Sequence, residues 1–146
     1  MKNLLIIIFS LATMSFISWE TDFEKAKQTA KEKHQFILLN FSGSDWCGPC
    51  IRMKKEVFED KSFSKMADEK LVLVNADFPR SKKNQLSSQT RKQNELLADK
   101  YDPEGKFPFT LLLDPDGRIL KTWDGLPDEN AGQFIKQIKD ICDANK

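Results

Sequence analysis

The stretch that most constrains this chain runs from Phe36 to Phe58. An apolar run, Phe36-Ile37-Leu38-Leu39-Asn40-Phe41, leads into Ser42-Gly43-Ser44-Asp45-Trp46-Cys47-Gly48-Pro49-Cys50. An amphipathic run, Ile51-Arg52-Met53-Lys54-Lys55-Glu56-Val57-Phe58, follows. This order predicts a strand, a short loop and a helix that opens at the cysteines. Side chains three and four apart share one helix face, so Cys47 and Cys50 can meet across the first turn and close a disulfide. The unpaired N–H groups at a helix start favour an anion there. A thiolate is such an anion, and it is the nucleophile of disulfide exchange. The spacing therefore predicts an exposed attacking thiol and a second thiol to resolve the mixed disulfide. A structural disulfide, or half of a zinc or copper site, uses the same spacing, and both stay open at this point.

The first 17 residues are a different kind of sequence. Lys2 gives a positive start, Leu4 to Phe9 is almost wholly apolar, and Leu11 to Ile17 continues it with small polar interruptions. The run is shorter than the ~20 residues of a spanning helix. Residues 1–18 read as a secretory signal peptide, with the cleavage point poorly marked. An uncleaved membrane anchor is the alternative. Either reading puts residues 19–146 outside the cytoplasm, periplasmic or secreted, where disulfides persist.

What remains is long enough for one domain with its own core. The 23 basic and 22 acidic residues nearly cancel, which argues against a general nucleic-acid or membrane-surface binder. Thr21-Asp22 predict a cap for a helix over Phe23–Lys31, with Phe23, Ala26 and Ala30 inward. Gln35–Phe41 is the first strand and Leu71–Asp77 the second. Between them lies a helix running from the cysteines to about Phe58, then a short one over residues 62–69 capped by Ser62. From Ser87-Ser88 to Tyr101 a helix is expected with Leu96, Leu97 and Tyr101 inward. Phe107–Leu113 is the third strand, Asp114-Pro115-Asp116-Gly117 a turn, and Arg118–Trp123 the hairpin partner. A last helix is expected from Pro127-Asp128, with Phe134, Ile135, Ile138, Ile141 and Cys142 on its apolar face. Cys142 then reads as a buried, inert core thiol, and the lone His34 as a surface residue.

From Pro79 to Asn94 the composition shifts. Arg80, Lys82, Lys83, Arg91 and Lys92 fall there with no acid among them. The plain reading is a solvated loop leading into a helix. The functional reading is a basic lid beside the thiols that helps to choose partners.

This order of elements, with Trp46-Cys47-Gly48-Pro49-Cys50 opening the first strand–helix unit, resembles the thioredoxin fold. Three motifs carry the resemblance: Asn40-Phe41 through Cys50, Tyr101 through Gly105 to Phe107-Pro108, and the Asp114–Gly117 turn. It covers roughly Asp22 to Lys146, and the Phe-Ser-Gly-Ser-Asp-Trp-Cys variant is similar to secreted thioredoxin-like proteins of Gram-negative bacteria. The resemblance implies an α/β domain with a central mixed four-stranded sheet flanked by helices. It implies that Cys47 attacks, that Cys50, more buried, resolves, and that Trp46 packs beside them. Gly48 and Pro49 would border a substrate. Pro108 would be cis beside the pair, and the Phe107 backbone would hydrogen-bond an extended peptide.

Departures from the family pattern matter too. Asn40 stands where thioredoxins carry a buried carboxylate, and Asn cannot exchange a proton. Leu73 stands where the lysine partner of that carboxylate is expected. The implied activity is a thiol–disulfide oxidoreductase that reduces or exchanges protein disulfides, with no metal and no cofactor. It would act as a monomer on disulfide-containing proteins and be re-reduced by a separate electron donor, a membrane protein among the candidates. The rival reading is a non-catalytic binding module with a static disulfide.

Overall fold

The computed structural model describes residues 17–128 and 130–145. Nearly all of the signal-peptide reading, residues 1–16, lies outside the described residues. Among those described, no helix is long and apolar enough to cross a membrane.

The sheet has five strands rather than four, in the order β1-β3-β2-β4-β5. The strands are β1 (Trp19–Glu20), β2 (Phe36–Ser42), β3 (Leu71–Asp77), β4 (Phe109–Leu113) and β5 (Ile119–Asp124). β2 runs parallel to β3, and β4 runs antiparallel to both β2 and β5. The added β1 pairs parallel with β3 through Trp19↔Leu73 and Glu20↔Val74. Two residues are too few to show a two-residue period. What holds them is the Trp19 ring, whose centroid lies 5.0 Å from that of Phe58.

Every residue of β2 is buried, as expected for a strand covered on both faces. Alternation divides the core. Leu38, Leu73, Leu112 and Trp123 face one layer, formed with α3 (Lys61–Lys70) and α5 (Ala131–Ala144). Ile37, Leu39, Val74, Leu111 and Leu113 face the other, formed with α1 (Phe23–Lys33) and α4 (Ser88–Tyr101).

The cysteine helix, α2 (Gly48–Met53), passes directly into a π-helical turn over Lys54–Phe58. This wider turn keeps Val57 and Phe58 buried under β1 and α3. Local corrections to the sequence reading follow from hydrogen bonding and packing. Asp60, not Ser62, caps α3, because its carboxylate accepts both the Ser62 and Phe63 N–H groups. α5 starts at Ala131 under an Asn130 cap, later than Pro127-Asp128. Leu96 points to solvent, while Asn94, Leu97 and Tyr101 carry the buried face of α4. β4 begins at Phe109 rather than Phe107, since Pro108 has no N–H to give the ladder. Phe134, Ile138 and Cys142 are fully buried, and His34 closes α1 in the left-handed conformation at φ 53°.

Candidate active site

The C-terminal ends of β2 and β3 and the start of β4 meet at one end of the sheet. Cys47 and Cys50 sit there, joined by a disulfide of 2.07 Å with Cα atoms 5.3 Å apart. Cys47 is the N-cap of α2, and its Sγ accepts the Cys50 backbone N–H at 3.2 Å. Pro49 lies in the first turn, where a missing N–H costs little. Gly48 and Pro49 are exposed. The expectation of an exposed Cys47 and a more buried Cys50 is corrected: in the disulfide both are buried, at 4% and 6% exposure. Among the described residues, no group of three or more His, Cys, Asp or Glu residues is placed to hold a metal.

Trp46 is fixed on several sides. Its Nε1 donates to the Phe78 carbonyl at 2.8 Å. Its ring meets Phe107 edge-on at 5.4 Å, and Phe107 in turn meets Phe78 at 5.6 Å. Behind it, a Cβ on Gly43 would run into the indole, so only glycine fits there. The Phe107-Pro108 bond is cis, as the resemblance implied. The Pro108 carbonyl accepts the Gly125 N–H at 2.9 Å. Phe107 precedes the first paired position of β4, Phe41↔Phe109. The structure thus brings Trp46 and Phe107 together beside the dithiol loop.

Behind Cys50 lies a cavity of about 360 Å³, lined by Trp19, Asn40, Ser42, Asn75, Lys54 and Phe58 among others. Asn40 is nearly buried and lies on the α2 side of the sheet, in step with Leu38. Its Nδ2 donates to Asn75 Oδ1 at 3.1 Å, and its Oδ1 accepts from Thr110 Oγ1 at 3.1 Å. Its cross-strand neighbour is therefore Asn75. Leu73 lies opposite Leu38, in the core. Ser42 Oγ lies 3.0 Å from Asn75 Oδ1 and 3.2 Å from Asp77 Oδ1, so this polar line continues to Asp77.

Two carboxylates hold the loop between β2 and α2, and the sequence reading singled out neither. Asp77 accepts the Ser44 backbone N–H at 2.8 Å and the Ser44 hydroxyl at 2.6 Å. Asp45 accepts the Arg80 and Ser81 backbone N–H groups, each at 2.9 Å, and Asn84 Nδ2 at 2.9 Å. The Arg80 N–H above all, then the Asn84 amide, holds the Asp45 carboxyl below the usual carboxylate range. The Arg80 guanidinium lies over the Trp46 ring, 3.8 Å from its centroid. The one signal in the sequence was position: polar residues at the ends of two parallel strands, where a loop must be tied down.

A sheet of this topology with a cis-proline loop and a cysteine pair opening the first crossover helix defines a dithiol protein of the thioredoxin architecture. The chain belongs to the thioredoxin-like family, whose model matches residues 18–115. It is 31% identical over 123 residues to a disulfide bond reductase, DsbH, of Chlamydia pneumoniae, covering 84% of this chain and 71% of that one. It is 34% identical to the thioredoxin-related protein DsbJ of the same organism, but there it spans only 29% of the relative's length. A solved DsbH oxidoreductase structure superposes with a TM-score of 0.79 at 25% identity, covering 97% of this chain and 95% of that one. A thioredoxin from Thermus thermophilus shares the fold at a TM-score of 0.64 and 17% identity, covering 86% of this chain and 87% of that one.

Proposed function

We propose that this protein is a thiol–disulfide oxidoreductase that works outside the cytoplasm, reducing or exchanging protein disulfides through Cys47 and Cys50. The observation that carries the reading is the Cys47–Cys50 disulfide at the start of α2, with the Cys50 N–H directed at Cys47 Sγ. In the reduced protein that N–H would favour a Cys47 thiolate. The thiolate attacks one sulfur of a substrate disulfide, a mixed disulfide forms, and one substrate thiolate leaves. Cys50, deprotonated, then attacks Cys47 Sγ and releases the second substrate thiolate. Two electrons pass to the substrate, and the protein ends in the disulfide form, to be re-reduced by a separate donor.

Trp46, Phe107 and the cis Pro108 would form the wall against which a substrate strand lies, with Gly48 and Pro49 on the open side. The Phe107 backbone, outside the β4 ladder, suits an added strand. Placement outside the cytoplasm rests on the apolar character of residues 4–17. The N-terminus of the purified exported protein, read by mass spectrometry, checks it: an intact Met1 in a membrane fraction supports the anchor instead.

A Cys50→Ser variant tests the activity. It should accumulate mixed disulfides through Cys47, and the Cys47→Ser/Cys50→Ser pair should not. The low exposure of both cysteines favours the rival reading of a static disulfide, for which neither variant traps anything. A couple poised above roughly −150 mV would make the protein an oxidant rather than a reductant.

A further inference from the structure

The basic run after β3 has no part in the dithiol chemistry itself, yet the structure ties it to the dithiol loop. We propose that residues 79–92 form a positively charged shelf that selects disulfide-bonded polypeptides carrying acidic residues beside the cystine. The inference rests on the exchange reading above and names the substrate class of that site.

Its charge is unspent. Arg80, Lys82, Lys83, Arg91 and Lys92 are all exposed. Among the described residues none of the five forms an ion pair. Elsewhere Lys25, Lys31, Lys70, Lys106, Lys136 and Lys139 each hold a carboxylate. Asp45 and Asp77, the acids that the loop itself engages, have their oxygens taken up by backbone, amide and hydroxyl donors. The first acid along α4 is Glu95, one turn past Arg91. Five cations outnumber the nearby carboxylates of Asp45, Asp77 and Glu95, so the shelf is net positive, and no ion pair within it has to break when a carboxylate arrives.

It is also fixed in place. A mobile basic loop would attract anions without registering them against the sulfurs. Here Asp45, two residues before Cys47, anchors the backbone at Arg80 and Ser81 and the side chain of Asn84. Arg80 lies on the Trp46 ring, which adjoins Cys47. A guanidinium held over an indole face still has N–H groups to offer a carboxylate. A substrate strand laid beside Phe107 would bring the residues flanking its cystine past Trp46. The lysines after Arg80 add attraction that acts within about a Debye length, roughly 8 Å at physiological salt.

The test is single-turnover reduction by the full chain, reduced with dithiothreitol and freed of it. Three peptides share one intramolecular disulfide and differ in the flanking residues: acidic, neutral amide or lysine. At about 20 mM salt the acidic peptide should react at least about tenfold faster than the lysine peptide. At about 0.5 M salt the gap should shrink to about threefold or less. Lys82→Glu/Lys83→Glu should remove or invert the ratio, while Lys136→Glu/Lys139→Glu on α5 should leave it as it is. A low-salt ratio within about twofold, or one indifferent to the Lys82/Lys83 reversal, overturns the shelf. Failure to reduce any of the three peptides overturns the exchange reading itself, a separate result.

Discussion

Asn40 Nδ2 donates to Asn75 Oδ1 at 3.1 Å, so neighbouring parallel strands share the polar position behind the dithiol. Thr110 completes the arrangement from β4 by donating to Asn40 Oδ1. The Asn40 amide can thus donate to one neighbour while accepting from the other, which a carboxylate cannot do. Asn40→Asp keeps the acceptor for Thr110 but turns an oxygen toward Asn75 Oδ1. The expected cost at neutral pH is roughly 1–3 kcal/mol, relieved at acid pH when the new carboxyl is protonated. Because Asn40 and Cys50 line the same cavity, the variant should also speed resolution by Cys50, by at least about tenfold. Denaturation at two pH values and quenched-flow decay of the mixed disulfide measure the two effects. An unchanged decay would mean that resolution needs no proton acceptor at this position.

Gly43 is required by a single contact. A side chain there meets the Trp46 indole, which the Phe78 carbonyl and the Phe107 ring hold in place. Gly43→Ala should cost about 1–3 kcal/mol and shift Trp46 emission, since the indole must leave its hydrogen bond to make room. Urea denaturation and fluorescence check this. A variant as stable as the parent would show that Trp46 moves at no cost.

What could be read from the residues in order followed how local each signal is. Phe36–Phe41 declared a covered strand by unbroken apolarity, and Phe134, Ile138 and Cys142 declared a helix face by spacing. Cys47 and Cys50 declared themselves by type and separation. Trp19–Glu20 could not, because two residues carry no period and their place depends on Phe58, far along the chain. Neither could Asp45, whose partners lie about 35 positions further on. The low exposure of Cys47 was also hidden, since the residues that cover a loop come from other elements. Leu96 misled for the opposite reason: it sits beside Leu97 in sequence, but a helix turns adjacent residues onto different faces.

The Asp45 clamp has a pH dependence of definite sign. Its carboxyl is held below the ordinary range, so the clamp is fully formed above the unfolded value, about 4, and is lost as pH falls through the depressed value. The protection of the Arg80 and Ser81 amides, measured as exchange relative to the intrinsic rate at each pH, should hold down to about pH 4 and fall at lower pH. Asp45→Ala should make both amides exchange fast at neutral pH and weaken any preference for acidic peptides, because Arg80 is no longer registered against Trp46. Slow exchange persisting in Asp45→Ala would assign the ordering of the loop to Arg80 on the indole alone.

Asp102 poses the reverse case beside the cis-proline loop. It is 3% exposed, its Oδ1 accepts the Lys106 N–H at 3.0 Å, and its Oδ2 has no hydrogen-bond partner among the described residues. Burial raises its pKa, and the Lys106 N–H and charge offset this only in part. The folded protein therefore binds this proton more tightly than the unfolded chain does. The stabilisation is complete below the unfolded value, about 4, and is lost as pH rises through the raised folded value. The melting temperature of Asp102→Asn relative to the parent should accordingly increase between about pH 4 and pH 7.5, whatever its absolute value. A difference that stays flat across that window would mean that water reaches Oδ2 and removes the cost of the charge. Because Asp102 opens the turn that delivers Phe107 and Pro108 to the site, the same titration should be visible in the Phe107 ring resonances, in step with the melting data.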